Sequence, residues 1–99
     1  MSDALDVLWR TILERKESAP AGSYTASLFQ AGVPRIARKV GEEGVETAVA
    51  ALSESDERVV SEMADLIYHC LVLLAARDLS LAQLETELAG RFRPAPRPE

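Results

Sequence analysis

The 99-residue sequence has one cysteine, one histidine and few aromatics: two Phe, two Tyr and one Trp. With Cys70 alone, no intrachain disulfide and no cysteine-based zinc site can form. So few aromatics, and no long alternating run of Val and Ile, argue against a β-sandwich or barrel. No stretch of about 18 apolar residues is present; the longest, Leu66 to Ala76, is short and interrupted by His69, so no membrane span is expected. The opening residues Met1-Ser2-Asp3-Ala4-Leu5-Asp6 lack a basic start and an apolar core, so a cytoplasmic location is expected rather than secretion. Positive charge is scarce as well. Eleven basic residues face 16 acidic ones, a net charge of −5, which sets aside non-specific coating of nucleic acid or of an anionic membrane.

What is present is a soluble-protein composition, 47% hydrophobic and 27% charged, in a chain long enough for one small domain. A chain of this size buries only about 60–65% of the surface its unfolded form exposes, so self-association is expected.

The hydrophobic periodicity is helical throughout. Leu5, Leu8, Trp9, Ile12 and Leu13 form one stripe, with Asp3 as N-cap. Ser18 to Gly22 is a turn. A short helix is expected from Ser23 or Thr25 to Gln30, and a third from about Pro34 to Leu52. On that third helix Ile36, Val40, Val45, Ala48 and Leu52 cover one half, and Arg35, Lys39, Glu42, Glu43 and Glu46 crowd a stripe of roughly 100° on the other. A turn over Ser53 to Asp56 leads to a fourth helix, about Glu57 to Arg77. A fifth starts after Ser80, which forms a capping box with Gln83, while Leu79 and Leu84 are placed for a hydrophobic staple. It ends near Gly90. The reading is one all-α domain over 1–90, an antiparallel bundle of four to five helices, with a Pro/Arg-rich tail over 91–99 expected to be disordered.

Two carboxylate pairs stand out: Glu43 with Glu46, and Glu62 with Asp65. Each is spaced i, i+3, so each projects from one helix face. Fifteen residues lie between Glu46 and Glu62, enough to finish one helix, turn, and run the next antiparallel. Folded so, the four carboxylates meet. Left alone they would repel strongly, whereas a hard divalent cation turns that repulsion into attraction. All-oxygen ligation selects magnesium, with manganese as a substitute. A solvated surface pair is the plainer explanation of either pair by itself. Against it, Asp65 lies in the most apolar stretch of the chain and is expected to be buried with a partner. Glu62, Asp65 and His69 also share a stripe only about 60° wide.

Lys39 precedes Glu43 by four residues, and Arg35 precedes Lys39 by four. Spacing alone admits two readings, a chain of weak i, i+4 ion pairs or a cationic rim suited to a polyphosphate. Gly41 and Gly44 each cost roughly 1 kcal/mol inside a helix; with Ala37, Ala48 and Ala51 they suggest close helix packing. His69 reads first as a hydrogen-bonded core residue, and Tyr68 as core or interface.

At these residues the sequence resembles a known family. The E-x-x-E and E-x-x-D pairs on consecutive helices look like the signature of the all-α, MazG-like nucleotide pyrophosphohydrolases. The segment Ser23-Tyr24-Thr25, with Leu28, Gly32, Ile36, Lys39-Val40-Gly41-Glu42-Glu43, Glu62, Ala64-Asp65-Leu66 and Tyr68-His69, resembles the phosphoribosyl-ATP pyrophosphohydrolases of histidine biosynthesis over about residues 5 to 90. The resemblance implies magnesium-dependent hydrolysis of the α–β phosphoanhydride of phosphoribosyl-ATP, giving phosphoribosyl-AMP and pyrophosphate, by a homodimer whose helices complete a shared bundle. The chain length suits a stand-alone enzyme. Carried over, Glu43, Glu46, Glu62 and Asp65 hold the metal, and Glu42 either orients or deprotonates the attacking water or supports the metal ligands from behind them. Lys39, Arg35 and Arg38 face phosphate oxygens. Ser23, Tyr24 and Thr25 belong to a substrate loop, with His69 beside them; for the first three an N-cap and a packed ring is the plainer account. Two other functions compete: a house-cleaning nucleoside triphosphate pyrophosphohydrolase, and a non-catalytic helical dimerisation domain.

Overall fold

A computed structural model describes residues 3–94. Its five helices are α1 (Asp3–Ser18), α2 (Tyr24–Ala31), α3 (Val33–Ser53), α4 (Asp56–Ala76) and α5 (Leu81–Arg91), and no strand occurs among the described residues. The all-α expectation holds, with helix ends one or two residues from those read in the sequence. Asp3, expected as a cap, is already helical and places its charge with Asp6 in the first turn of α1. Arg91 belongs to α5 rather than to the tail, and 95–99, the end of the expected disordered segment, lie outside the described residues.

The chain's punctuation explains the boundaries. Ser23 caps α2 by accepting from the Ala26 amide at 3.1 Å, and Ser55 caps α4 by accepting from Arg58 at 3.3 Å. Gly32, at φ +95°, ends α2 and starts α3 at once, a backbone state that a side chain would strain. Pro34 fits the first turn that follows. The Ser80–Gln83 capping box is formed on both sides. Beyond α4, Asp78 adopts φ 57° and pairs with Lys16 at 2.7 Å; the same ammonium donates to the Ala75 carbonyl at 2.7 Å, tying α1 to the end of α4.

An antiparallel α3–α4 hairpin is the spine. At one end α1 and α2 close over it around Ile12, Leu28, Ile36, Leu71, Val72 and Ala75, with Leu81 joining from the start of α5. Leu5, Leu8, Trp9, Phe29 and Tyr68 pack against this core. At the other end α3 and α4 have only each other.

That arrangement corrects three expectations. The buried line of α3 runs through Ile36, Glu43 and Ala50, while Val45, Ala48 and Leu52 of its apolar half are exposed, Leu52 at 88%. Thus the covered line of α3 runs along the border of its two halves, through Ile36 and Glu43, and leaves Val45, Ala48 and Leu52 of the apolar half uncovered. Gly41 and Gly44 do not serve close packing within the chain, since a β-carbon on either meets nothing within 4 Å. And α4, where no stretch of about 18 apolar residues was expected, holds an 18-residue window of mean hydropathy 1.7 within its 21 residues, long and apolar enough to cross a membrane by those two measures. It nevertheless buries Glu62 and His69 against its neighbours, as a core helix does.

Candidate metal centre

Glu43 and Glu62 are each 6% exposed, facing one another across the α3–α4 seam. Their burial follows from register, because each stands on the line of its helix that points at the other: Ile36, Glu43, Ala50 on α3 and Glu62, His69 on α4, spaced by seven. Asp65, one turn after Glu62, brings a third carboxylate. One oxygen from each of Glu43, Glu62 and Asp65 lies within 4.8 Å of the others. Here the sequence expectation is inverted: Asp65 is exposed and Glu62 is buried. Asp65's apolar neighbours on α4 point to the other helices and to the uncovered flank, not across its carboxylate.

Glu46 borders this group and is exposed. Hydrogen bonding to Glu62 and then to Glu43, reinforced by the negative charge of Glu43, pushes its carboxyl up to about 7. The crowding thus favours the protonated form of Glu46.

Each buried glutamate is half satisfied. Glu43 Oε1 lies 3.4 Å from Lys39 Nζ, and Glu62 Oε1 accepts from Arg58 Nη2 at 2.6 Å. Their other oxygens, Oε2 of both, are buried with no hydrogen-bond partner. Bare buried carboxylate oxygens are costly. A magnesium ion bonded at ~2.1 Å keeps its ligands at most about 4.2 Å apart, so the observed spacing needs only a small inward adjustment. The all-oxygen donor set fits a hard divalent cation.

The remaining candidates divide into those the fold brings to this centre and those it does not. Lys39 stands at its edge and also lies 3.7 Å from the exposed Glu42; desolvation is the largest single influence and lowers its ammonium, but Glu43, Tyr24 and Glu42 together outweigh it and hold it above the usual lysine range. Arg35 is exposed two turns before Glu43. Arg38 lies about 140° around α3 from Glu43 at 100° per residue and lines a shallow surface depression with Gly41, Glu42, Val45 and Glu46. Ser23 is used as a helix cap. Tyr24 and Thr25 open α2 by docking on α4, where Thr25 Oγ1 hydrogen-bonds the Tyr68 hydroxyl and the Tyr24 hydroxyl lies 3.1 Å from His69 Nε2. His69 is buried, and its Nδ1 donates to the Asp65 carbonyl at 2.7 Å. A carbonyl only accepts, so Nε2 is the acceptor for the tyrosine hydroxyl. With both nitrogens engaged, His69 pins the start of α2 to the backbone of Asp65.

Arg58 escaped the sequence reading. The signal is there: Lys39, Glu43, Glu46 and Arg58, Glu62, Asp65 repeat one spacing, a base, then an acid four and seven positions later. A cavity of about 270 Å³ opens beside Arg58, lined by Val45, Glu46, Val49, Glu54 and Glu62. A second, of about 430 Å³, lies at the α1–α2 turn and includes Ser23 and Tyr24.

The family model for phosphoribosyl-ATP pyrophosphohydrolase matches residues 5–92. The phosphoribosyl-ATP pyrophosphatase of Metallosphaera sedula is 55% identical over 93 residues, covering 94% of this chain and 100% of the relative. That of Saccharolobus solfataricus is 50% identical over 90 residues, covering 91% and 96%. The histidine biosynthesis bifunctional protein HisIE of Xylella fastidiosa is 53% identical over 90 residues, 91% of this chain but 42% of the relative. With a match spanning all five helices and both carboxylate pairs, the chain belongs to the phosphoribosyl-ATP pyrophosphohydrolase family.

Proposed function

We propose that Glu43, Glu46, Glu62 and Asp65 hold magnesium, with manganese as a substitute, and that phosphoribosyl-ATP is hydrolysed there at its α–β phosphoanhydride to phosphoribosyl-AMP and pyrophosphate in histidine biosynthesis. The observation that carries the metal assignment is the pair of bare, buried oxygens of Glu43 and Glu62 beside Asp65. Magnesium, when bound, neutralises phosphate charge and acidifies water. The chain's own residues do the rest. Glu43 and Glu62 present their free oxygens because Lys39 and Arg58 hold the opposite ones. Lys39 neutralises phosphate oxygens at the α2 side of the groove, with Arg35 one turn beyond. Glu42, exposed on the rim, is the carboxylate left free to take the proton of the attacking water. Tyr24 and Thr25, fixed by His69 and Tyr68, shape the wall against which the nucleotide end rests. Arg38 is left out of the site of its own chain.

The working form is a homodimer in the cytoplasm. Val45, Val49 and Leu52 of α3 and Val60, Met63 and Ile67 of α4 are 42–88% exposed, an apolar flank over the two-helix end that a second copy covers. A radius of gyration of 15.8 Å, against about 13 Å for a compact 100-residue domain, agrees. Light scattering should give twice the chain mass; a monomer at micromolar concentration would refute it. Cell fractionation tests the location, and recovery of the chain outside the cytoplasm would overturn it.

The decisive assay offers phosphoribosyl-ATP beside ordinary and damaged nucleoside triphosphates, with and without magnesium. Pyrophosphate release should be fastest from phosphoribosyl-ATP and abolished by chelation. Preference for a free nucleotide rejects the substrate, and chelator-resistant turnover rejects the metal.

A further inference from the structure

The repeated spacing Lys39–Glu43–Glu46 and Arg58–Glu62–Asp65 is matched by repeated contacts. Each buried glutamate has one oxygen against the cation four residues before it and its other oxygen bare. Since α3 and α4 are antiparallel, the two cations stand at opposite ends of the carboxylate group. They differ in how firmly they are committed. Lys39 is 24% exposed and 3.4 Å from its buried glutamate, whereas Arg58 is 53% exposed, lies 2.6 Å from Glu62 and is held from behind by Glu54, 3.2 Å from its Nε. Each cation has a second carboxylate, Glu42 for Lys39 at 3.7 Å and Glu54 for Arg58 at 3.2 Å, and both contacts of Arg58 are the shorter.

This has a consequence for cation binding. In the cation-free protein Arg58 neutralises a buried carboxylate that would otherwise face Glu43, Glu46 and Asp65 uncompensated. Once a divalent ion sits among those carboxylates the compensation is duplicated, and the guanidinium repels the ion. An interaction that favours the empty site over the filled one weakens binding by thermodynamic linkage.

We propose that Arg58 is a positioning residue that acts through Glu62 to lower the site's affinity for divalent cation, setting the concentration at which the site fills. The inference rests on the cation assignment made above. A unit charge about 6 Å from a divalent ion in a water-like dielectric alters its affinity about tenfold, which salt reduces to about threefold.

Manganese binding to the full chain, followed by the loss of the free-ion electron paramagnetic resonance signal, tests this with R58Q and R58K. R58Q should bind manganese about 3- to 10-fold more tightly than the unsubstituted chain, and R58K, which keeps the charge, within about twofold of it. Manganese should also raise the melting temperature of R58Q more than that of the unsubstituted chain. A residue that merely orders Glu62 would give weaker binding on removal, so R58Q binding equally or less tightly overturns the inference. An unsubstituted chain that binds no manganese refutes the cation assignment itself, a separate failure. Arg58 is half exposed and lies outside the buried core, so R58Q should fold, and its melting temperature in chelator checks this.

Discussion

The two ends of the α3–α4 hairpin solve opposite problems. Where α1 and α2 join it, four helices enclose Ile36, Val72 and Leu28 at 0–1% exposure, and the chain closes its own core. Toward the 54–55 turn only two helices meet among the described residues. There Glu43 and Glu62 are buried beside the small Ala50, and Val49, Leu52, Val60 and Met63 are exposed. Such an inside-out pair is unstable as it stands: carboxylates repel within, and apolar surface faces water without. The proposed function supplies a remedy for each fault from elsewhere, a cation for the interior and a second copy for the flank. The proposed site thus occupies the end that the chain does not stabilise by itself.

Substitutions should separate these ends, the largest effect being on turnover. Glu62→Gln and Asp65→Asn should each cut phosphoribosyl-ATP hydrolysis by at least about 100-fold, the scale of losing one preorganised electrostatic contact, while leaving the melting temperature of the chelator-treated protein unchanged or raised. Near-full activity in either would remove that residue from the site. At the closed end the effect is on folding. Ile36→Ala deletes a fully buried side chain and should cost about 2–5 kcal/mol of stability in denaturant titration; a cost below 1 kcal/mol would mean that this core is loose. Leu52→Ala, 88% exposed in one chain, should cost under about 0.5 kcal/mol if the chain is monomeric. In a dimer its cost should grow with protein concentration, and Leu52→Asp should shift the dissociation midpoint upward by tenfold or more, as about 1.4 kcal/mol of lost association does. Concentration-independent behaviour of both variants would leave the apolar flank without the proposed cover.

The same contrast explains what could be read from the sequence. Helix ends were legible because Ser23, Gly32, Pro34 and Ser80 are local signals whose chemistry acts within a few residues. The convergence of Glu43, Glu62 and Asp65 was legible too, as it needs only i, i+3 spacing and an antiparallel turn. Sidedness was not. Periodicity tells that α3 has an apolar and a charged half, but which half its own chain covers depends on what else covers the other. For Val45 and Leu52 the usual rule, apolar side inward, points to another molecule. Gly41 and Gly44 misled for the same reason, lying 160° and 100° around the helix from Glu43 at 100° per residue. Asp65 and Glu62 exchanged roles because neighbours along a sequence are not neighbours across a seam. Arg58 went unread because an i, i+4 ion pair is commonplace on helices, and only its burial of Glu62 Oε1 marks it.

The smallest expected effect is also the most diagnostic of the carboxylate end. In cation-free protein the Glu46 carboxyl is raised from an ordinary 4.5 to about 7, chiefly by hydrogen bonds to Glu62 and Glu43. A raised acid binds its proton more tightly folded than unfolded, so between those two values the folded state holds more protons. Stability must then fall as pH rises from about 4.5 to about 7, and level off above. At the closed end the only comparable carboxyl is Asp78, held below its usual value by the Lys16 hydrogen bond; its contribution has the opposite sign, present above its unfolded value and lost on acidification. Melting temperatures across this range, in chelator, should therefore decline toward neutrality in the unsubstituted chain and flatten in Glu46→Gln, whereas Asp78→Asn should leave the decline in place. Magnesium should flatten it as well, because an ion among Glu43, Glu62 and Asp65 replaces the Glu46 proton. A decline that survives in Glu46→Gln would move the proton, and with it the crowding, to another group.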